Sequence, residues 1–318
     1  MIRALAMVAI ALIGVAHAQP LKLSTAVGPA YPIGRAGERW AQFLTERSNG
    51  AFEVRQFPGA VLSQRDPLRE FGALRDGEAD LAVGSALAWS AQLPAFAVYG
   101  LPWLGVDSET IANDANVRDR VATQALAANV LIVAVAPLGE RVISTTKAAV
   151  MSPSDMRGLR FRTTPIPLVI ETFATLGARA EAMTLPDAQA AFAAGTLDGQ
   201  EATATTLAAT RAAATGQKFV TRLDAFGDVM VFAVRKQVWD AWSETQRTTA
   251  RDAALDAARE AAASSREDAA LAELTKQGVT LVRLTPAQRA VFREAVQAVW
   301  SKWTSLIGAD LVHAAMKR

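Results

Sequence analysis

The chain has 318 residues, a formal net charge of +2 and no cysteine, which excludes disulfides, thiolate metal sites and cysteine nucleophiles. Its two histidines, His17 and His313, are too few for a Ser-His-Asp hydrolase or a histidine-based zinc enzyme, so we predict no enzymatic activity, no cofactor and no metal. No cluster of Lys and Arg is interleaved with aromatic residues, which argues against nucleic acid as a partner.

The first 18 residues have the pattern of a secretory signal peptide. Arg3 gives a positive start, residues 4–15 form a short apolar run, and Ala-His-Ala at 16–18 is a small-x-small cleavage signal. The apolar run is too short for a spanning helix. We therefore predict cleavage after Ala18 and a periplasmic mature protein, with an uncleaved membrane anchor as the alternative.

The mature chain begins by alternating strands with helices. Strands are predicted at 21–27, 51–57 and 79–83, and helices at 34–48 and 66–74. An apolar loop at 94–102 and a helix–strand pair within 107–135 follow, and the alternation resumes with new elements from 144 to 220. This order predicts an α/β fold built from βαβ units in two lobes.

Residues 158–201 carry the most informative pattern. A strand bearing Arg162 precedes a helix that ends near Gly177, a short strand, and a helix closed by Gly195. Because Asp-Gly is a common turn signal, we predict a turn over residues 198–201 and a structural role for Asp198. An arginine at the end of a strand, beside helix starts, lies where α/β folds bind small molecules.

The last third of the chain has few breaks. Residues 229–235 are apolar and β-like, and Ser-Glu-Thr-Gln at 243–246 is a capping box. Alanine and charged residues then continue without proline to 276, which predicts one helix of ~30 residues and about 45 Å. Such a helix is either a solvated surface element or a bridge between both lobes. A strand at 278–284 and a helix starting at Thr285-Pro286 complete the chain.

Seven segments occur in an order and spacing that point to a known family. They are LKLSTAV, GRAGERWAQFLTERSNG, EVRQFPGAVLSQRDPLREFGALRDGEADLAVGS, PAFAVYGLPWL, PLGERVISTTKAAVMSPSDMRGLRFRTTP, LGARAEAMTLPDAQAAFAAGTLDGQE and VMVFAVRKQVWDAW. From Leu21 to about Ile307, the chain resembles the extracytoplasmic solute-binding proteins of TRAP transporters, the DctP type. The resemblance implies a two-lobed periplasmic-binding-protein fold with crossing hinge strands and a long lobe-bridging helix. Lobe I would comprise 19–138 plus 228–265, and lobe II 139–227 plus 266–318.

The resemblance also implies a site for an organic acid. Arg162 matches the family's principal ligand-binding arginine, and a planar, permanently charged guanidinium suits a carboxylate. Arg160 lies on the same face of the strand, and the alternative is that both are solvated or paired with acids. Arg141 matches a second arginine that contacts the ligand or secures closure, and the alternative is an ion pair with Glu140 or a contact between the lobes. Glu201 would orient the ligand or pair with an arginine.

Several positions depart from the sugar-acid binders of the family. Ala202 stands where they have Asn, Ser85 and Ala88 stand where they have Glu and Arg, and Ala225 stands where many relatives have His. Each change removes a polar group from the expected pocket. The prediction is therefore a smaller or more apolar carboxylate, aromatic or branched, with Ser85 among the ligand-binding residues.

Four aromatic residues are candidates for the pocket walls. They are Trp89, Tyr99, Trp103 and Phe226, of which we favour Trp89 and Phe226, and core packing is the alternative for each. The predicted function is capture of an organic acid by a monomer and delivery to the membrane subunits of a TRAP permease. A protein that presents its ligand to a sensor kinase is the alternative.

Overall fold

The computed structural model describes residues 20–316, so the predicted signal peptide lies outside the described residues. The strands are β1 (Leu21–Thr25), β2 (Val54–Pro58), β3 (Leu81–Ser85), β4 (Val130–Thr145), β5 (Arg160–Thr163), β6 (Arg179–Ala182), β7 (Gly199–Thr203), β8 (Phe219–Arg222), β9 (Gly227–Arg235) and β10 (Thr280–Arg283). The α-helices are α1 (Pro32–Arg47), α2 (Glu70–Asp76), α3 (Ala86–Trp89), α4 (Ser108–Asn113), α5 (Ala115–Ala127), α6 (Pro153–Met156), α7 (Pro167–Thr175), α8 (Leu185–Ala193), α9 (Ala204–Ala209), α10 (Lys236–Ala241), α11 (Glu244–Ser264), α12 (Glu267–Lys276), α13 (Pro286–Ala295), α14 (Gln297–Ile307) and α15 (Ala309–Met316). Within residues 20–316, no helix is both long and apolar enough to cross a membrane.

One long strand, β4, belongs to both halves of the sheet. Its first part pairs antiparallel with β9, up to Glu140 opposite Gly227. Its last five residues pair antiparallel with β7, beginning with Arg141 opposite Thr203, and β8 flanks the same part on the other side. The strand order is β2-β1-β3-β9-β4-β7-β5-β6, with β10 beside β8. The two-lobed α/β fold with crossing strands is therefore confirmed.

Parallel pairing occurs within each half, as the βαβ pattern predicts. β1 pairs with β2 and β3, and β5 pairs with β6 and β7. Gly227 permits the close crossing of β9 and β4, because a Cβ there would lie 2.7 Å from the Glu140 Oε1 atom and 2.6 Å from Ser108 Cβ. The crossing therefore brings the start of β9 against the middle of β4.

Capping boxes begin two of the helices for which the sequence predicts a start, and the box at 243–246 is itself predicted. Ser243 and Gln246 exchange side-chain and backbone hydrogen bonds at the start of α11, and Thr285 and Gln288 do so at α13. Each box satisfies two backbone groups that the first helical turn leaves unpaired.

The predicted uninterrupted helix over 244–276 is wrong in one respect, because it is broken at Ser265 and Arg266. α11 packs on α1 and β4, whereas α12 packs on α9 and β10. The segment thus contacts both halves, as a bridging element should, but as two helices. Alanine propensity favours helix at each residue without fixing a common axis, and packing against two separate surfaces decides where the helix breaks.

The predicted turn over 198–201 is also wrong beyond Asp198. Gly199–Thr203 is the buried strand β7, which pairs with β4 on one side and β5 on the other. The Asp-Gly signal is local, whereas two neighbouring strands supply hydrogen-bond partners for the backbone of β7. Most other predicted elements occur within a few residues of their expected bounds, as with Pro32–Arg47 for the helix at 34–48.

Candidate functional site

Arg162 lies in β5, which runs between β6 and β7. Only 5 % of the residue is exposed. Its Nε donates to the Met183 carbonyl at 3.1 Å and its Nη1 to the Glu201 carbonyl at 3.2 Å. Burial lowers the pKa of Arg162, and the nearby Glu201 charge raises it in part. Among the described residues, Arg162 forms no ion pair and its Nη2 makes no hydrogen bond, so a buried cation has donors to spare.

Arg141 and Glu201 form a buried ion pair next to Arg162. The Arg141 Nε lies 2.5 Å from Glu201 Oε2, and its Nη2 donates to the Thr164 hydroxyl at 2.7 Å. The other carboxylate oxygen of Glu201 accepts from the Thr164 N–H at 2.6 Å and from its hydroxyl. Burial would raise the pKa of Glu201, but the two guanidinium groups and the Thr164 bonds lower it overall. Arg141 therefore pairs with Glu201, not with Glu140.

Asp228 approaches Arg141 from β9. Its Oδ2 accepts from the Ser85 hydroxyl at 2.6 Å and lies 3.7 Å from Arg141 Nη1. Its Oδ1 accepts from the N–H groups of Leu87 at 3.2 Å and Val229 at 2.8 Å. Burial raises the pKa of Asp228, and Arg141 and the hydrogen bonds offset this only in part. Arg141 is thus held between one acid from β9 and one from β7.

These four residues form a continuous group that we call the buried charge cluster: Arg141, Arg162, Glu201 and Asp228. Three come from β4, β5 and β7, and Asp228 comes from the first half of the sheet. The sequence predicted that the two arginines and Glu201 belong together, and Ser85 is joined to them through Asp228. Two cations and two carboxylates balance, and the unused Nη2 of Arg162 is suited to an added anion.

Arg160 has a different environment, although it lies only two residues from Arg162. Its Nε and Nη2 contact the Asp198 carboxylate at 3.0 and 3.1 Å, and Lys147 lies 3.1 Å from the same group. The Arg160 guanidinium holds the pKa of the Asp198 carboxyl well below its usual range. This geometry agrees with the structural role expected for Asp198.

Trp89 lies in the core beside α2. Its ring centroid is 5.8 Å from that of Phe71 and 5.6 Å from that of Phe96, and its Nε1 donates to Glu70 at 3.3 Å. Glu70 also accepts from the Ser24 hydroxyl at 2.9 Å, and burial raises its pKa to about 7. Within residues 20–316, the ring contacts and the hydrogen bond of the Trp89 side chain are with Phe71, Phe96 and Glu70 and not with the buried charge cluster, so its ligand role stays a prediction.

The other candidate wall residues are also buried. The Phe226 carbonyl accepts from the Arg141 N–H at 3.0 Å, and the Phe226 ring lies 6.4 Å from that of Phe173. Tyr99 is in the core, and Trp103 stacks on a phenylalanine of α13. Phe226 is therefore joined to the cluster through its backbone, and its contact with a ligand stays a prediction.

Sequence reasoning missed Asp228 and Thr164. Asp228 opens an otherwise apolar buried strand, and that isolated charge was an available signal. Thr164 follows β5 directly, where side chains at the carboxyl end of a strand often reach a site.

A cavity of about 510 Å³ lies elsewhere, between the loop at 103–107 and α13. Its lining includes Arg222 and Arg289, and both pair with Asp224, at 3.2 and 3.1 Å. Because these two cations have acidic partners and the third arginine of the lining, Arg293, is exposed, the cavity offers a weaker anion site than Arg162.

Comparison with known proteins gives a consistent result. The sequence profile of bacterial extracellular solute-binding protein, family 7 (DctP) matches residues 23–306. A TRAP periplasmic solute-binding protein from Ralstonia eutropha H16, solved with bound (S)-2-acetolactate, is 35% identical, with 93% of this chain and 97% of that chain covered and a TM-score of 0.88. The C4-dicarboxylate-binding periplasmic protein DctP of Vibrio cholerae is 24% identical, with 90% of this chain and 86% of that protein covered.

A third relative extends the likeness in fold. A TRAP periplasmic solute-binding protein from Shewanella oneidensis, solved with bound succinate, has 20% identity and a TM-score of 0.81, with 93% of this chain and 98% of that chain covered. Its low identity supports the fold alone. The profile match spans most of the chain and agrees with the crossing strands and the bridging segment. This chain therefore belongs to the bacterial extracellular solute-binding protein family 7, the DctP-type solute-binding proteins of TRAP transporters.

Proposed function

We propose that the protein captures a small organic acid between its two lobes and delivers it to the membrane subunits of a TRAP permease. The observation that carries the proposal is Arg162, a buried guanidinium that lacks an acidic partner among the described residues. The charge of Glu201 acts on Arg162 without an ion pair, since the Glu201 carboxylate is bonded to Arg141 and Thr164. A ligand carboxylate at Nη2 would form the direct ion pair that Arg162 lacks and would be held by charge-assisted hydrogen bonds.

The proposed lobes follow the boundaries expected from the sequence, 19–138 plus 228–265 and 139–227 plus 266–318. Three features support them. β4 changes its partner from β9 to β7 between Glu140 and Arg141, β9 starts at Gly227, and the helical segment breaks at Ser265 and Arg266. Closure of these lobes on the ligand would shift the population from an open to a closed state.

The proposed ligand is a short, branched acid. Ala88 is buried in α3, close to Ser85, and its side chain cannot hydrogen-bond a sugar hydroxyl. Ala202 packs in the apolar cluster of α9 and α12, on the strand face opposite Glu201, and so gives no support on the ligand. The Ralstonia protein was solved with (S)-2-acetolactate, a small branched hydroxy acid, which agrees with the same class. We propose acetolactate or a similar 2-hydroxy or 2-oxo acid.

The remaining properties follow from the same proposal. The protein is exported, with its signal peptide cleaved after Ala18, and it acts as a monomer without enzymatic activity. The protein binds the acid reversibly and releases it chemically unchanged.

A thermal-shift screen followed by calorimetry tests this function. The panel contains (S)-2-acetolactate, succinate and D-glucuronate, with the methyl ester of acetolactate as a control that lacks the carboxylate. We expect acetolactate to stabilise the protein, by about 2.7 kcal/mol at 100 times its dissociation constant, and the ester and glucuronate to have no effect. Absence of binding to every acid would contradict the proposal.

A further inference from the structure

We propose that Asp228 is a positioning residue for Arg141 that takes up a proton when a carboxylate binds at Arg162. This inference rests on the proposed function, since it concerns the same site. Asp228, in β9, would keep the net charge of the buried charge cluster unchanged when the ligand binds.

The charge count requires such a change. Without ligand, the guanidinium groups of Arg141 and Arg162 face the carboxylates of Glu201 and Asp228, and all four residues are buried. A carboxylate ligand adds a third negative charge to two positive charges. Uncompensated charge in a buried site is costly, and the lowest-cost response of a titratable site is to bind a proton.

Glu201 is poorly suited to accept that proton. Both of its oxygens accept hydrogen bonds, one from Arg141 and the other from the N–H and hydroxyl of Thr164. Protonation would weaken a charge-assisted bond to Arg141. Glu201 therefore remains ionised in the free and bound states.

Asp228 is suited to accept it. Its separation from Arg141 Nη1 is 3.7 Å, beyond hydrogen-bond distance, so neutralising it breaks no hydrogen bond to a cation. Its Oδ2 partner is the Ser85 hydroxyl, which can act as donor or acceptor. When Oδ2 carries the proton, the O–H donates to Ser85 Oγ, and the half-exposed Ser85 turns its own hydrogen elsewhere. The N–H bonds from Leu87 and Val229 to Oδ1 are retained.

The elements packed on β9 contain two other acids with raised pKa values. Glu140 in β4 accepts from the Ser108 N–H, and burial raises its pKa. Glu70 in α2 is held by Ser24 and Trp89. Neither forms an ion pair with Arg141.

The remaining neighbours bring no further charge to Asp228. β3, α3 and the turn at 94–100 contain no Asp, Glu, Lys or Arg, and their Tyr99 has its pKa raised by burial. On α4, Glu109 is exposed. The buried face of α11 consists of alanines, and α10 follows the far end of β9. Arg141 is the charged group that acts on Asp228.

Calorimetry with (S)-2-acetolactate, at one pH in buffers of different ionisation enthalpy, measures the protons bound with the ligand. We expect net uptake of up to one proton per ligand in the wild-type protein. Its affinity should then rise as the pH falls, by up to about tenfold per pH unit. Asp228→Asn mimics the neutral acid, so it should bind without proton uptake and with an affinity that no longer varies with pH.

Glu70→Gln and Glu140→Gln are the matched controls, and both should retain the uptake. Binding without uptake in the wild-type protein overturns the inference while leaving the proposed function intact, as does uptake that persists in Asp228→Asn. Absence of any binding overturns the proposed function itself. If Asp228→Asn does not fold, infrared difference spectra of the wild-type protein decide the question. A carboxylic-acid C=O band that appears with the ligand supports the inference, and its absence overturns it.

Discussion

Arg160 and Arg162 are two residues apart on the same strand, yet their charges are compensated in different ways. The side chain of Arg160 is 38% exposed and pairs with Asp198. Arg162 is buried, donates to two carbonyl groups and lacks an acidic partner among the residues described. Arg160 links β5 to Asp198, the residue before β7, whereas Arg162 has an unused Nη2 that we propose for the ligand anion.

The difference follows from what lies next to each residue. Arg160 stands at the start of β5, where its partly exposed guanidinium covers the mostly buried carboxylate of Asp198, the residue before β7. Arg162 stands two residues further along β5, where the nearest carboxylate, that of Glu201, is already ion-paired with Arg141. The two arginines therefore differ in that only Arg160 has an acidic ion-pair partner among the described residues, which residue type and strand alternation do not reveal.

The largest effect is expected from Glu201→Gln, which removes the carboxylate that is ion-paired with Arg141 and whose charge also acts on Arg162. The unfolding free energy should fall by about 3–5 kcal/mol, because a buried cation loses its ion-pair partner. Urea denaturation of the ligand-free protein measures it. A loss as small as that of a surface pair would show that the cluster is better solvated than its burial indicates.

Arg162→Ala should have the next largest effect, on affinity. Binding of (S)-2-acetolactate should weaken by about 2–5 kcal/mol, since the variant removes one partner of a buried charge pair. Arg160→Ala is the matched control, because its charge serves Asp198. Calorimetry on both variants tests the contrast, and equal losses in the two would contradict it.

Glu70 extends the comparison to a buried acid without a cation. Burial raises its pKa from 4.5 to about 7, so its protonated form is favoured by folding, and wild-type stability should fall as the pH rises through this window. Glu70→Gln should remove that loss, up to about 3 kcal/mol above neutral pH. Thermal unfolding across the window measures both proteins, and parallel pH profiles would show that Glu70 does not titrate there.

The smallest effect is expected at the surface pair. A double-mutant cycle with Arg160→Ala and Asp198→Asn should give a coupling of about 0.2–1 kcal/mol that weakens with added salt. The depressed pKa of Asp198 means that this contribution is present at neutral pH and is lost as the pH falls below the usual range of an aspartate. A coupling that salt does not change would place the pair in a less solvated environment.

The sequence predicted much of the fold and part of the site. Strand–helix alternation indicated the α/β class, and the capping box at Ser243 and the helix start at Thr285 were predicted correctly, because these signals depend on residues close together in the chain. The family resemblance singled out Arg141, Arg162 and Glu201, which the structure brings together. Their roles toward a ligand remain predictions.

Local signals failed where distant elements decided the outcome. Glu201 lies in a strand and not in a turn, since β4 and β5 flank it, and the helix predicted through 276 breaks where it passes from one half of the sheet to the other. Asp228 had no recognisable motif, because its partners Ser85 and Arg141 come from strands far away in sequence.

By itself, the sequence determined which chemistry is possible: no thiols, almost no histidine, alternating strands and helices, and an arginine at a strand end. Only the tertiary structure decided which charges meet. Arg160 pairs with Asp198 at the edge of the surface, Arg141 lies between two buried acids, and Arg162 donates to carbonyl groups. The physical reason is that the strength of a charge interaction depends on separation and solvent access, and both are set when β4 and β9 cross.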